Sequence, residues 1–284
     1  MDNYIFNKII QSIKNPIFFF YKLQNLYFYI KYTKNYNHSF YQNDQNLRFK
    51  KLNLSRKKGL EKIEKLKKKY QFYNSPMSSE HQIFFASISL KKNVKKILEI
   101  GTYDGVNAYQ LSLIFPKSEI TTIDLESDSE EFKGSYGRNE INKRKIFCDK
   151  RNAVLKKSKN VKFIEKNSIK LTFEYNKYDL IWVDGAHGNP IVTIDIINSL
   201  RLLNKNGIIA CDDIFINKNT EPKNISRFNI KIANQMFSDL GAYETLCILR
   251  DTKLINFNLI YKRIDKINNG TPSRRKYIAI LKKI

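Results

Sequence analysis

Cysteine is scarce in this chain: Cys148, Cys211 and Cys247 are the only three in 284 residues, and they stand far apart. They make neither a C-x-x-C pair nor a disulfide framework, which favours a reducing compartment, the cytoplasm, and excludes a thiolate-held metal. Long apolar runs are missing too. The N-terminal stretch Ile17 to Tyr32 is broken by Lys22, Gln24, Asn25 and Lys31, and it falls short of the roughly 20 mostly apolar residues of a membrane span. A secretory signal is not expected either, because the unbroken apolar core runs only from Ile17 to Tyr21 and no small-residue cleavage site follows. Acidic charge is the third scarcity: 27 Asp and Glu face 51 Lys and Arg, a formal charge of +24. Such a balance points toward nucleic acid. Yet no helix-turn-helix, zinc finger or RNA-binding aromatic signature accompanies it, and the positive residues are mostly Lys, spread among Asn and Ile. Nucleic acid is therefore not the expected partner.

With 284 residues and 33.6 kDa, the chain can bury one full α/β core and carry an N-terminal appendage. Val94 to Ile100 reads as a buried strand. Gly101 and Gly105 then let the backbone turn tightly and approach a ligand, and Asn107 to Phe115 continues at helical spacing. The next apolar run ends in Asp124, 23 positions after Gly101. There a carboxylate can accept both hydroxyls of a ribose, at about the separation expected of such a unit. A dinucleotide fingerprint would read G-x-G-x-x-G. Here Glu99 precedes Gly101 by two positions, the next glycine follows four later, and no phosphate-cradling lysine is present.

Two further apolar runs end in acids. Tyr178 to Asp184 is one, Gly207 to Asp213 the other, and Ile191 to Leu203 between them has the spacing of a crossover helix. The two strands should then be parallel, with their acidic ends on one edge of the sheet. Neighbouring tips lie about 5 Å apart, so Asp184, Asp212 and Asp213 would repel one another unless paired. A divalent cation resolves the conflict, and an all-oxygen set suits magnesium or manganese better than zinc. His187, three residues beyond Asp184, can reach the same crevice.

The loop from Glu99 to Gly105 resembles motif I of the class I S-adenosylmethionine-dependent methyltransferases, E-x-G-x-x-x-G. Tyr103 replaces the usual middle glycine, a departure shared by the small-molecule O-methyltransferase branch. The segment Asp184-Gly-Ala-His187 is similar to that of macrocin- and mycinamicin-type antibiotic-sugar enzymes, where catechol- and caffeoyl-coenzyme A-type relatives place a lysine instead of the histidine. This resemblance covers roughly residues 76 to 284. It implies a Rossmann-like α/β fold, with a seven-stranded, mostly parallel sheet closed by a C-terminal antiparallel hairpin.

For the site, the resemblance implies S-adenosyl-L-methionine held by Glu99, Gly101, Thr102, Tyr103, Gly105, Asp124, Ser168 and Asp184. It makes Asp184, Asp212 and Asp213 the ligands of Mg2+ or Mn2+ and His187 the general base. The family's last pair is often Asp-Asn or Glu-Asp, so the Asp-Asp here leaves open which of the two ligates more directly. The expected acceptor is a small hydroxylated molecule, a saccharide or a glycosylated natural product. The Asn/Asp-Pro-Pro-aromatic motif of base methylation is absent. A nucleic-acid methyltransferase or RNA-binding protein, suggested by the basic charge, a non-catalytic cofactor-binding scaffold, and the cephalosporin modification linked to relatives of this branch remain as alternatives.

Met77 to Phe85 resembles the short helix that leads into the first strand, with His81 on its surface. Asn160 to Ser168 reads as the third strand. Residues 126 to 158 are longer and more polar than a simple connection, in the manner of a lid, and Tyr136 and Arg138 could face the acceptor. Ser226 to Leu240 reads as a helix, and Asn256 to Arg263 and Lys276 to Lys282 as the closing strands. Residues 1 to 75 form a basic, aromatic-rich helical extension, in which Ser55 to Tyr70 is amphipathic through Leu60, Ile63 and Leu66. This extension packs on the core, packs on a second copy, or rests peripherally on an anionic membrane surface.

Overall fold

A computed structural model describes residues 38–70, 72, 79–135, 138–175, 177–216, 241–264 and 275–284. Ile17 to Tyr32, Tyr136 and the helix expected over Ser226 to Leu240 lie outside the described residues, as do Met77 and Ser78. Chain order is α1 (His38–Lys51), α2 (Arg56–Lys69), α3 (Ser79–Ser89), β1 (Lys96–Ile100), α4 (Val106–Ile114) and β2 (Glu119–Asp124). Next come α5 (Glu130–Gly134), α6 (Ile141–Leu155), β3 (Val161–Glu165), a 3-10 turn (Ser168–Phe173), β4 (Tyr178–Val183) and α7 (Ile191–Leu202). The chain ends through β5 (Leu203–Phe215), α8 (Gly241–Asp251), β6 (Ile255–Ile264) and β7 (Arg275–Lys283).

The strands form a seven-stranded sheet in the order β3-β2-β1-β4-β5-β7-β6. The first five are parallel, and β7 runs antiparallel to both β5 and β6. This is the mostly parallel sheet with an antiparallel end that the sequence implied. Alternation explains why both faces are covered: Leu180 and Trp182 of β4 enter one apolar cluster, while Ile181 and Val183 enter the other. Burying each such side chain contributes about 1.5–3 kcal/mol.

The first face is roofed by α1 to α4. Phe49 of α1 and Ile63 of α2 share a cluster with Phe84 of α3, Trp182 of β4 and Ile278 of β7. Gln45 donates to the Tyr261 carbonyl at 2.8 Å, and Tyr41 stacks on the Tyr261 ring at 4.4 Å, so α1 is tied to β6 over a long sequence separation. Ser55 caps α2 by accepting from the Lys58 N–H. Ile63 and Leu66 of α2 pack inward, but Leu60 is exposed.

His81 requires a correction. It lies not on a helix surface but 4% exposed, with its ring 4.9 Å from that of Trp182. The helical register leaves α3 little free surface, because the sheet lies beneath it and Arg56 of α2 clamps Glu80 through two bonds of 2.7 and 2.9 Å. The insertion also differs from an open lid. It folds into α5 and α6, and the Arg138 guanidinium lies 3.7 Å from the centre of the Phe132 ring, in a stack with Phe147. Arg151 of α6 lies over Phe163 and bonds Glu165 at 2.9 Å, fastening the insertion to β3.

Candidate active site

The chain leaves β1, builds β2 and β3 on one side, and then crosses to β4 on the other. A crevice opens where such a sheet reverses direction, at the carboxyl ends of its strands, and Gly101 lies at that point. Its φ of +99° is left-handed, and a Cβ there would lie 2.3 Å from the Asp184 carbonyl oxygen. Only glycine lets the tips of β1 and β4 approach so closely. Tyr103 follows with φ of 50° and a half-exposed ring, and Gly105 precedes α4 with φ of +77°.

Asp124 closes this half of the crevice. Its two carboxylate oxygens accept the Tyr103 and Leu125 N–H groups, each at 2.8 Å. A carboxylate oriented in this way keeps further lone pairs for hydroxyl donors. Glu99 and Thr102, expected beside the cofactor, are turned inward. Glu99 is fully buried and accepts from Asn107 at 2.7 Å and from Thr122 at 2.5 Å. Burial pushes its carboxyl up to about 8, against those two hydrogen bonds. The Thr102 hydroxyl lies 2.6 Å from that of Thr122, so these side chains brace the loop from below. Ser168 opens the 3-10 turn beyond β3.

On the other side, β4 and β5 are parallel neighbours with Val183 opposite Cys211, which carries Asp184 and the Asp212–Asp213 pair to one edge. The pair then separates. Between Cys211 and Ile214 the register with β7 slips by one residue, a bulge that re-aims side chains, and Asp213 takes φ of 55°. The ligand atoms of Asp184, His187 and Asp213 consequently lie within 4.8 Å of one another. Asp212 is turned elsewhere: it is buried and bonded to Lys262 of β6. Burial would raise the Asp212 carboxyl, but Lys262 and Lys276 outweigh it and hold the group below the usual carboxylate range.

His187 has its Nε2 3.3 Å from Asp213 Oδ2. Burial, followed by the Lys276 charge, pushes the imidazole down to about 4. A neutral ring with its Nε2–H toward Asp213 carries its lone pair on Nδ1. Asp184 shifts the opposite way: burial, then repulsion from Asp212, raises it above its ordinary value. Two carboxylates and an imidazole within this span match the donor chemistry of a divalent cation with ligands at about 2.0–2.6 Å. Lys276, however, already touches Asp213.

Sequence reasoning missed three participants. Lys262 and Lys276 come from strands about 50 and 60 residues further along the chain, and no local pattern marks them. Asp195 lies under the loop after β4, 3.5 Å from where a Gly185 Cβ would stand. Burial raises its carboxyl to about 6, and neither of its oxygens has a hydrogen-bond partner among the described residues.

Residues 98–214 match the family model of a methyltransferase domain. No curated protein matches the chain in sequence. Among solved structures it is similar to the S-adenosylhomocysteine-bound methyltransferase PaMTH1 of Podospora anserina, at 16% identity over 88% of this chain and 97% of that one, with a TM-score of 0.49. It is also similar to the O-methyltransferase TomG of Streptomyces achromogenes, at 14% identity over 84% and 96% of the two chains, with a TM-score of 0.48. A putative caffeoyl-CoA O-methyltransferase of Staphylococcus aureus shares 19% identity over 78% of this chain and 92% of its own, with a TM-score of 0.47. The matched stretch runs from β1 to β5, with the glycine loop and Asp124 at the switch point of the sheet, so residues 98–214 are similar to a methyltransferase domain.

Proposed function

We propose that the chain transfers the methyl group of S-adenosylmethionine to a hydroxyl oxygen of a small polar acceptor, a saccharide or a glycosylated natural product. The observation that carries this reading is the convergence of Asp184, His187 and Asp213 on one edge, with the tip of β4 one strand from Gly101 after β1 and two from Asp124 on β2. S-adenosylmethionine supplies a methyl already activated on a sulfonium, which leaves as the neutral thioether as the acceptor oxygen bonds to the carbon.

The protein's share is alignment and proton removal. Asp124, fixed by two backbone N–H groups, is oriented to accept the ribose hydroxyls. Gly101 keeps the β1 tip low enough for the donor to lie against β4. His187, neutral at physiological pH because burial and Lys276 hold its pKa down to about 4, takes the acceptor proton at Nδ1. Asp213 receives its Nε2–H and sets the tautomer, the orienting role that a carboxylate plays beside a histidine base. With His187 as the base, Asp184 and Asp213 are the residues that would hold Mg2+ or Mn2+, whose chemistry there would be to lower the pKa of a hydroxyl it touches. An acceptor bearing neighbouring hydroxyls suits this polar, acidic edge better than an apolar phenol.

The test is methyl transfer from labelled S-adenosylmethionine to a panel of monosaccharides, glycosides and nucleotide sugars, with and without added Mg2+. Label in a base-stable ether, lost in His187→Ala, is the expected result. Label appearing on RNA or protein instead would overturn the assignment.

A further inference from the structure

We infer that Lys276 is a built-in competitor of the divalent cation at Asp213, a tethered ammonium that sets how tightly Asp184 and Asp213 hold a metal beside His187. This rests on the reading of those three residues given above.

The argument starts from two strand irregularities that face each other. On β5 an extra residue at Asp212–Asp213 breaks the pairing with β7, and on β6 an extra residue, Lys262, breaks it between Tyr261 and Arg263. Each inserts one unpaired residue and turns a charged side chain out of the regular alternation. The turned groups meet: Lys262 bonds Asp212, and Lys276, the β7 residue opposite Phe215 and Arg263, touches Asp213. The Lys262 side chain is 1% exposed and that of Lys276 6%. Lysine is almost never buried so deeply without a partner, because an unpaired ammonium would forfeit its hydration.

The two lysines are not equivalent. Lys262 serves Asp212, which stands outside the metal-type set, whereas Lys276 occupies a ligand within it. Both Asp213 oxygens are engaged: Oδ1 by Lys276, and Oδ2 by His187 at 3.3 Å. A cation entering between Asp184, His187 and Asp213 must share Oδ1 with an ammonium or displace it. Lys276 has an alternative acceptor, since Asp212 Oδ2 lies 4.0 Å from its Nζ. The lysine can thus swing from Asp213 to Asp212 when a metal arrives, and the energy of that exchange is subtracted from metal binding.

The experiment uses the full chain, stripped of metal, titrated with Mn2+ and followed by the electron paramagnetic resonance signal of the free ion. S-adenosylhomocysteine binding by calorimetry serves as the check on folding. Lys276→Met should bind Mn2+ at least tenfold more tightly than the unaltered chain, and adding Asp213→Asn to that variant should abolish the gain. Lys276→Gln, which keeps a polar end, replaces the Met variant if the latter loses the cofactor. Equal Mn2+ affinity in the unaltered chain and the Lys276 variants would overturn the inference while leaving the metal reading standing. No Mn2+ binding by any form, with cofactor binding intact, would overturn both.

Discussion

Glu99 and Asp124, at the tips of β1 and β2, are held by neutral donors: a threonine hydroxyl, an asparagine amide and two backbone N–H groups. Asp212 and Asp213, at the tip of β5, are held by lysines from the C-terminal strands. Under the proposed function, the contrast follows from what each side has to do. A ribose is neutral and needs acceptors of fixed direction, which backbone donors within one loop can provide. The β4–β5 edge, the acceptor side of the proposal, gathers three carboxylates, and their mutual repulsion in a buried setting calls for full positive charges.

The largest test of this division is His187→Ala, which should lower methyl transfer by about 10²–10⁴-fold while S-adenosylhomocysteine affinity stays unchanged. A parallel loss of cofactor affinity would mean that the two sides are not separable. Next in size is Lys262→Met, which leaves the buried Asp212 with only the more distant Lys276, 4.0 Å away, to balance its charge, and should cost up to about 3–5 kcal/mol in urea unfolding. Adding Asp212→Leu should recover most of that loss, since replacing a buried ion pair with apolar groups is often neutral. Thr122→Val, on the cofactor side, removes one bond to Glu99 and should cost only about 1–3 kcal/mol. A larger loss than that of Lys262→Met would invert the comparison.

A further test is a pH slope. Burial raises Glu99 from 4.5 to about 8, so between those values the folded chain keeps a proton that the unfolded chain releases. Its contribution to stability is therefore whole below about 4.5 and is lost as pH rises toward 8. Glu99→Gln should flatten this part of the melting temperature profile between pH 5 and 8. An unchanged slope would show that Glu99 is already ionised in the fold.

These two sides also differ in how far they could be read from the amino-acid order. The strand, glycine turn, helix and delayed acid from Lys96 to Asp124 are local, and the spacing of Gly101 and Asp124 carries their meaning. The parallel pairing of β4 and β5 followed from the crossover helix Ile191–Leu202, which periodicity revealed. What periodicity could not show is which distant side chain satisfies a buried charge. Lys262 and Lys276 look like any of the chain's many lysines, and the bulges that aim them exist only once β5, β6 and β7 are paired. His81 was misread for a related reason: one helix face of α3 meets the sheet, but α2 covers the other, and that second layer leaves no mark within α3 itself. Glu99 and Thr102 sit in the motif, yet their alternation places them beneath the loop, where they act on its shape.

Calorimetric titration of S-adenosylhomocysteine into the unaltered chain, His187→Ala and Asp124→Asn tests the division of the crevice most directly. The account predicts binding to the first two with equal affinity, and a loss of about tenfold or more in Asp124→Asn, the size expected for hydrogen bonds to a charged group. Equal binding by Asp124→Asn, or an affinity that falls with His187 and not with Asp124, would contradict it.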